Sequence, residues 1–347
     1  MIRVGLDAWN LLGDHRGIGR YVRALLHEWK HSFSRRIAVT LIVPEWHSWA
    51  VARRYRAEAG DSHYAVRSRR FQGRCDLDVL WFPFNGVSWD GFSLPSVATL
   101  HDAVTFVRPE YTQADSAPFR LAAQRCDRII TDSDFSRTEL VRELHLPPSR
   151  VETIPLGIGD PAPVRDVALD IGAFGRFVLF VGENDPRKGL DTLLAASAAL
   201  QNEGAVMPVV VAGISTAQSR AILKDARCPV HALGHIDDAT LAALYRACAV
   251  FAYPSRYEGF GLPVLEAMSY GAPVVASSAG GIPEAGGDAA LYVPPGDVAA
   301  LTAALRSVAA DPAVAADLRA RGYARAREMP WRTTAERTLE VLERVAR

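Results

Sequence analysis

The chain has 347 residues, 49% of them hydrophobic and 22% charged, with 39 basic side chains balancing 39 acidic ones. That composition excludes a disordered or fibrous chain and allows two ordinary domains, each with its own core. No stretch of eighteen apolar residues occurs, so no transmembrane helix is expected.

The opening MIRVGLDAWNLLG lacks a long apolar stretch with a small-residue cleavage site and reads as a first strand, not a signal peptide. Next come a helix in HRGIGRYVRALLHEWK and buried strands in IAVTLIVP, VLWFP, SVATLHD and RIITDS. DFSRTELVREL reads as a helix that Ser133 or Asp134 is placed to cap. After VETIPLGI, the Pro-rich GDPAPVRD reads as a linker. A second series follows: strand RFVLFVG, helix DTLLAASAALQ, strand MPVVVAG, a helix ending near Lys224, and strand VHALGHI. Helix DDATLAALYRAC, strand VFAYPS, helix LPVLEAMSY stopped by Gly271, strand PVVAS and the strand-like ALYVPPGD complete it. The alternation of short apolar runs with helical patterns predicts an α/β protein, two doubly wound domains in tandem with ligand in a cleft at the strand C-terminal ends. A last helix is expected over about 333–345.

Charge is unevenly spread. The first 100 residues carry 14 Lys and Arg against 9 Asp and Glu, the remainder 25 against 30. Most of the surplus falls in residues 35–74, where Trp46, Trp49, Tyr55 and Phe71 interleave with arginines ending at Arg74. Such a face, from Trp46 to Arg74, could rest on an anionic membrane; a solvated helix face beside a loop is the plainer alternative. No nucleic-acid partner is expected. Cys75, Cys126, Cys228 and Cys248 are far apart in sequence and read as buried reduced thiols in a cytoplasmic protein, not as a zinc site.

The strongest chemical signal is EGFGLPVLE, residues 258–266, between a strand and a helix. Gly259 and Gly261 allow close backbone approach, and Pro263 suits a first helical turn. The amide groups and dipole at that helix start favour an anion such as a diphosphate. Glu258 and Glu266 would repel phosphates, so they make sense as acceptors of sugar hydroxyl hydrogen bonds on either side of it. Arg187 and Lys188, in VGENDPRKG, sit where cations are electrostatically disfavoured unless an anion compensates them. His101 and Asp102 end the strand SVATLHD, at an edge where open sheets hold ligands, although a strand-end histidine with a packing role fits too. Gly17 and Gly19 precede a helix but lack the third glycine of a dinucleotide fingerprint, and Arg20 reads equally as a surface arginine. Asp76-Leu-Asp78 and Asp132-Ser-Asp134 could suggest a metal, but the first leads into a strand and the second sits at a helix start. Both look structural.

With RGIGRY, IPLGI, LGHIDDATLAALYRACAVFAYPS and GGIPEAGGDAALYVPPGD in the same order, the EGFGLPVLE segment resembles the E-x7-E motif of the retaining glycosyltransferases of family 4. The resemblance spans nearly the whole chain. It implies the GT-B fold: an acceptor domain over residues 1–163 with a returning C-terminal helix over 332–347, and a sugar-nucleotide domain over 164–331. It assigns Glu266 to the ribose hydroxyls, Glu258 to the transferred sugar, and Gly259, Phe260, Gly261 and Leu262 to sugar and diphosphate. His235 and Ile236 would hold the base, and Arg187 and Lys188 would neutralise the departing diphosphate. Gly17 and Gly19 would meet the diphosphate or acceptor from the other domain, and His101 would hydrogen-bond the sugar. Many relatives carry Arg where this chain has Glu183, which leaves Arg187 as the guanidinium.

The implied reaction is retaining transfer of a hexose, mannose from GDP-mannose before a UDP-hexose, to a hydroxyl of a glycan or lipid-linked acceptor. It would need no metal or other cofactor and could run at the inner face of the membrane. A sugar-nucleotide epimerase or hydrolase of the same fold is the nearest alternative. An NAD-dependent oxidoreductase and a non-catalytic sugar-binding protein are the more distant ones.

Overall fold

The computed structural model describes residues 1–14, 17–44, 49–61, 64–70, 76–161, 167–183, 185–215, 224 and 226–347. They divide into two compact units: unit 1 comprises Met1–Gly159 and Pro330–Arg347, and unit 2 comprises Asp160–Met329.

Unit 1 is built on seven strands: β1 (Ile2–Asp7), β2 (Ile37–Val43), β3 (Ala65–Ser68), β4 (Val79–Phe82), β5 (Ser96–Thr99), β6 (Arg128–Thr131) and β7 (Val151–Thr153). They form one sheet in the order β3-β2-β1-β4-β5-β6-β7, every pair parallel. The order reverses between β1 and β4. Such a switch point opens a crevice at the strand C-terminal ends. Its helices are α1 (Gly17–Ser32), α2 (Trp49–Glu58), α3 (Val104–Val107), α4 (Gln113–Arg125) and α5 (Asp134–Glu143). β4 and β5 are buried throughout, as in strands covered on both faces, and β4 (VLWF) is apolar throughout.

Unit 2 repeats the plan with β8 (Val178–Val181), β9 (Val209–Ala212), β10 (Val230–Gly234), β11 (Val250–Tyr253), β12 (Val274–Ser277) and β13 (Ala290–Val293). Their order is β10-β9-β8-β11-β12-β13, again all parallel, with the switch between β8 and β11. Its helices are α6 (Leu190–Asn202), α7 (Asp238–Ala247), α8 (Leu262–Ser269), α9 (Ile282–Gly286), α10 (Val298–Ala310) and α11 (Pro312–Glu328). Side-chain caps start several of them: Asp237 accepts from Thr240 N, Asp297 from Ala300 N and Asp311 from Ala313 N. Each cap is worth about 1 kcal/mol.

The chain then returns to unit 1 as α12 (Trp331–Val345). Trp29 Nε1 donates to Ala335 O at 2.9 Å, Thr334 Oγ1 to Pro155 O at 2.8 Å, and Arg36 grips Glu343 through two bonds of 3.0 and 2.8 Å. The bond Trp331 N to Ile158 O, 3.4 Å, ties the start of α12 beside β7.

Several elements go beyond the sequence expectations. The basic stretch after α2 contains the edge strand β3, and α4, α10 and α11 fill segments for which no helix was assigned. The helix expected to end near Lys224 lies outside the described residues apart from Lys224 itself. Ser133, not Asp134, caps α5, accepting from Ser136 N at 2.9 Å. Cys126, Cys228 and Cys248 are buried free thiols, and Cys75 lies outside the described residues. Among the described residues no single helix is long and apolar enough to cross a membrane.

Candidate functional site

In unit 2 the strands flanking the switch point, β8 and β11, each release a loop from their C-terminal ends. The loop after β8 turns through Gly182 and a 3-10 turn, Pro186–Lys188, whose cap is Asp185 accepting from Arg187 N at 2.7 Å. It closes at Gly189, where φ is +70° and a Cβ would lie 2.2 Å from Pro254 O. Only glycine lets the two loops approach this closely.

The close approach brings opposite charges together. Lys188 Nζ donates to Glu258 Oε1 at 2.7 Å and to the Tyr253 hydroxyl at 3.3 Å. Arg187 lies 3.6 Å from the other Glu258 oxygen, and donates to Asp185 Oδ2 at 3.3 Å and to Tyr257 O at 3.3 Å. The side chains of Arg187, Lys188 and Glu258 are 17%, 18% and 10% exposed, so their attraction is screened far less than on a surface. Burial opposes the charge on Asp185, but the Arg187 amide and guanidinium hold its carboxyl below the usual range. Burial and then the nearby Glu258 carboxylate push the Tyr253 phenol well above its ordinary value, so it stays neutral.

Two further groups hold this arrangement. Arg256 N donates to Arg187 O at 2.7 Å, and the Arg256 guanidinium binds Pro186 O at 2.5 Å and both Asp191 oxygens at 2.9 and 2.6 Å. It thereby ties the β11 loop to the β8 loop and to the first turn of α6. Beneath Glu258, Gly281 N donates to Glu258 O at 2.9 Å, and a Cβ on Gly280 would lie 2.1 Å from that same oxygen. Gly261, at φ +107°, then opens α8, with Pro263 in its first turn. Gly259, Phe260, Gly261 and Leu262 are all buried along this path, and Glu266 is buried one turn into α8.

His235 and Ile236 follow β10, the edge strand two places from β8, about 10 Å away by ordinary strand spacing. His235 is exposed and Ile236 half-buried. They share the sheet end with the ion cluster without joining it. Glu183, beside the cluster in sequence, is described, whereas Asn184 is not.

Unit 1 holds His101 just beyond β5. Its Nδ1 is 2.7 Å from Asp132 Oδ2 and its Nε2 is 3.1 Å from Pro83 O. Asn85, itself at φ +53°, accepts from His101 N at 2.7 Å, and the Tyr21 ring meets the imidazole edge-on at 5.0 Å. Burial disfavours a charged imidazole, but the Asp132 carboxylate and the Pro83 carbonyl outweigh it and raise His101 above its ordinary pKa. Asp102 shapes the following turn by accepting from Val104 N at 3.1 Å.

Of the glycines near α1, Gly17 is exposed and its Cβ position meets nothing within 4 Å. A Cβ on Gly19 would lie 1.8 Å from Asp14 O, so Gly19 serves the packing of residues 10–14 on α1. Arg23 donates to that same oxygen at 2.6 Å. The two Asp-x-Asp strings diverge. Asp76 and Asp78 pair with Arg3, and Asp134 accepts from Thr153 Oγ1 at 2.6 Å, all structural ties. Asp132, read from sequence as structural, instead holds His101; Tyr21, Asn85, Tyr253 and Arg256 were not singled out at all. No local motif marks them, because their partners lie 16 to 80 positions away or on another loop.

Among the described residues no three His, Cys, Asp or Glu side chains gather as a metal-binding group. Of the basic segment, residues 45–48 and 71–75 lie outside the described residues, Trp46 and Arg74 included. Helix α2 exposes Arg53 and Arg54 and buries Ala52 and Tyr55.

Residues 15–160 match the model of glycosyltransferase family 4, and residues 175–311 match that of glycosyl transferases group 1. The O-antigen chain mannosyltransferase B of Escherichia coli is 32% identical over 70% of this chain and 69% of its own length. The serotype-specific mannosyltransferase WbdA of the same organism is 28% identical over 79% of this chain, which spans only 36% of that longer protein. Among solved structures, sucrose-phosphate synthase of Thermosynechococcus elongatus is 21% identical and superposes with a TM-score of 0.73, covering 99% of each chain. The chain belongs to glycosyltransferase family 4 and is a glycosyltransferase of the GT-B fold.

Proposed function

We propose that the protein transfers a hexose from a nucleoside diphosphate sugar to a hydroxyl of a glycan or lipid-linked acceptor, with retention of anomeric configuration. The observation that carries this reading is the buried cluster of Arg187, Lys188 and Glu258 at the unit 2 switch point. In the structure Glu258 engages both cations. A diphosphate, with more charge to offer, draws Arg187 and Lys188 to its own oxygens and frees the carboxylate to accept from sugar hydroxyls. As the bond to the anomeric carbon breaks, negative charge grows on the departing phosphate, where two preorganised cations stabilise it most. No carboxylate is assigned as a covalent nucleophile. The departing phosphate itself takes the acceptor proton on the same face of the sugar. Glu266 binds the ribose, residues 259–262 follow the diphosphate and sugar, and His235 and Ile236 support the base.

Mannose from GDP-mannose is the first donor to test, because the relative that is 32% identical is named a mannosyltransferase. With two cations in place the reading needs no metal, and turnover is expected to persist in a chelator. The basic face that includes α2 is proposed to rest on anionic lipid at the inner face of the membrane. A melting-temperature screen of GDP, UDP and their sugars ranks the donors, since a ligand bound only by the folded state raises the transition. Proton NMR of the glycoside then reads its anomeric configuration. Free sugar or an epimerised nucleotide with no glycoside would overturn the transferase assignment of this site.

A further inference from the structure

The His101 imidazole has a partner at each nitrogen, and the two partners differ in kind. Pro83 O, 3.1 Å from Nε2, is a backbone carbonyl and can only accept, so Nε2 carries a hydrogen. Asp132 Oδ2, 2.7 Å from Nδ1, belongs to a side chain that is 4% exposed. The second carboxylate oxygen, Asp132 Oδ1, is buried and has no hydrogen-bond partner among the described residues. A carboxylate serving the fold alone ordinarily fills both oxygens. Asp132 spends its one hydrogen bond on the ring, 31 positions away in sequence.

We propose that Asp132 is the positioning residue of His101: it holds Nδ1 and leaves Nε2–H as the donor that passes from Pro83 O to an oxygen of the bound sugar nucleotide. The proposal rests on the reading of His101 as a donor-contacting residue. The groups facing the ring come from several elements. The Asp132 carboxylate lies beyond β6, Asp102 is the next residue in the chain, and the Tyr21 phenol comes from α1. Burial pushes the Tyr21 phenol far above its ordinary pKa, so it stays neutral, with Thr99 Oγ1 on β5 3.4 Å from its hydroxyl. Asp132 is the one of these in contact with Nδ1, and it favours the doubly protonated ring.

The test uses the full chain labelled with 15N-histidine, with His101→Gln to identify the resonance. In the wild type the ring is expected to titrate above an ordinary histidine, and in Asp132→Asn its titration is expected to move down. Turnover in Asp132→Asn is expected to fall about 100-fold, with KM for the sugar nucleotide changed less than about threefold. The basic limb of the pH profile is expected to move with the NMR titration. Combined with His101→Gln, the Asp132 change is expected to add no further loss. An unchanged titration and pH profile in Asp132→Asn, while His101→Gln is inactive, would overturn the positioning role alone. Full turnover in His101→Gln would overturn the reading of His101 and this proposal with it. Should Asn at position 132 unfold unit 1, Asp132→Glu carries the test: the high titration is retained but kcat falls. Wild-type kcat in Asp132→Glu would count against the role.

Discussion

The candidate sites of the two units, one at the β8–β11 switch and the other beyond β5, are built differently. In unit 2 the functional groups come from two loops, residues 182–189 and 254–261, that leave adjacent strands and meet through opposite charges. In unit 1 a single histidine is fixed by Asp132 beyond β6, Pro83 and Asn85 beyond β4, and Tyr21 on α1. The first arrangement is a balanced ion cluster, Arg187 and Lys188 against Glu258 and Asp185, that an anionic ligand can re-partition. The second is a rigid hydrogen-bonded mount for one ring. The same doubly wound plan, with seven strands in one unit and six in the other, thus supports a responsive charge site in unit 2 and a fixed donor in unit 1.

Removing the charges of the responsive site breaks that contrast most severely. Lys188→Ala, Glu258→Ala and Glu266→Ala are each expected to lower kcat/KM about 1000-fold while circular dichroism shows a folded chain. Full activity in all three would sink the site assignment. Next comes the packing under Glu258. Gly280→Ala puts a Cβ 2.1 Å from Glu258 O at a residue whose φ is +61°, and is expected to cost about 2–4 kcal/mol in a denaturant melt. The exposed Gly17→Ala, with nothing within 4 Å, is expected to change stability by less than about 0.5 kcal/mol.

A smaller effect follows from the tie between the loops. Arg256→Ala leaves every proposed ligand contact in place but frees the β8 loop, so about a tenfold loss in kcat/KM is expected. The smallest effect is a pH dependence. The Arg256 hydrogen bonds hold Asp191 below the usual carboxylate range, though burial works against them. A carboxyl depressed on folding contributes stability above its unfolded pKa and loses it as pH falls through the folded one. The tie is therefore expected to be complete at neutral pH and to loosen as pH falls through the depressed Asp191 value, so wild type loses amide-exchange protection in α6 over that range while Arg256→Ala, already without the tie, shows no such step.

How much of this was legible in the sequence follows the same division. The strands could be read because both sheets are buried on both faces, which gives runs such as VLFV and VVVA. The charges of unit 2 could be read because each sits in a local string; the close approach at Gly189 came only with the structure. Their pairing could not: Lys188 and Glu258 are 70 positions apart, and only the β8–β11 neighbourhood joins them. In unit 1 His101 was visible at a strand end, but Asp132 was hidden in a string that resembles a helix start. Gly19 carries the opposite lesson, since a glycine that looked ready for a ligand makes room for Asp14 O. The edge strand β3 was masked by its shortness and by Arg67, whose charge suits an edge but obscures the alternation.

The claim that the unit 2 cluster receives a diphosphate is tested most directly by calorimetric titration of GDP and UDP into three proteins: wild type, Lys188→Ala and Glu258→Gln. Opposite changes are expected for the preferred nucleotide: affinity about tenfold weaker or worse without the cation, and equal or tighter once the competing carboxylate is neutralised. Equal affinity in wild type and Lys188→Ala, or a loss in Glu258→Gln as large as that in Lys188→Ala, would contradict it.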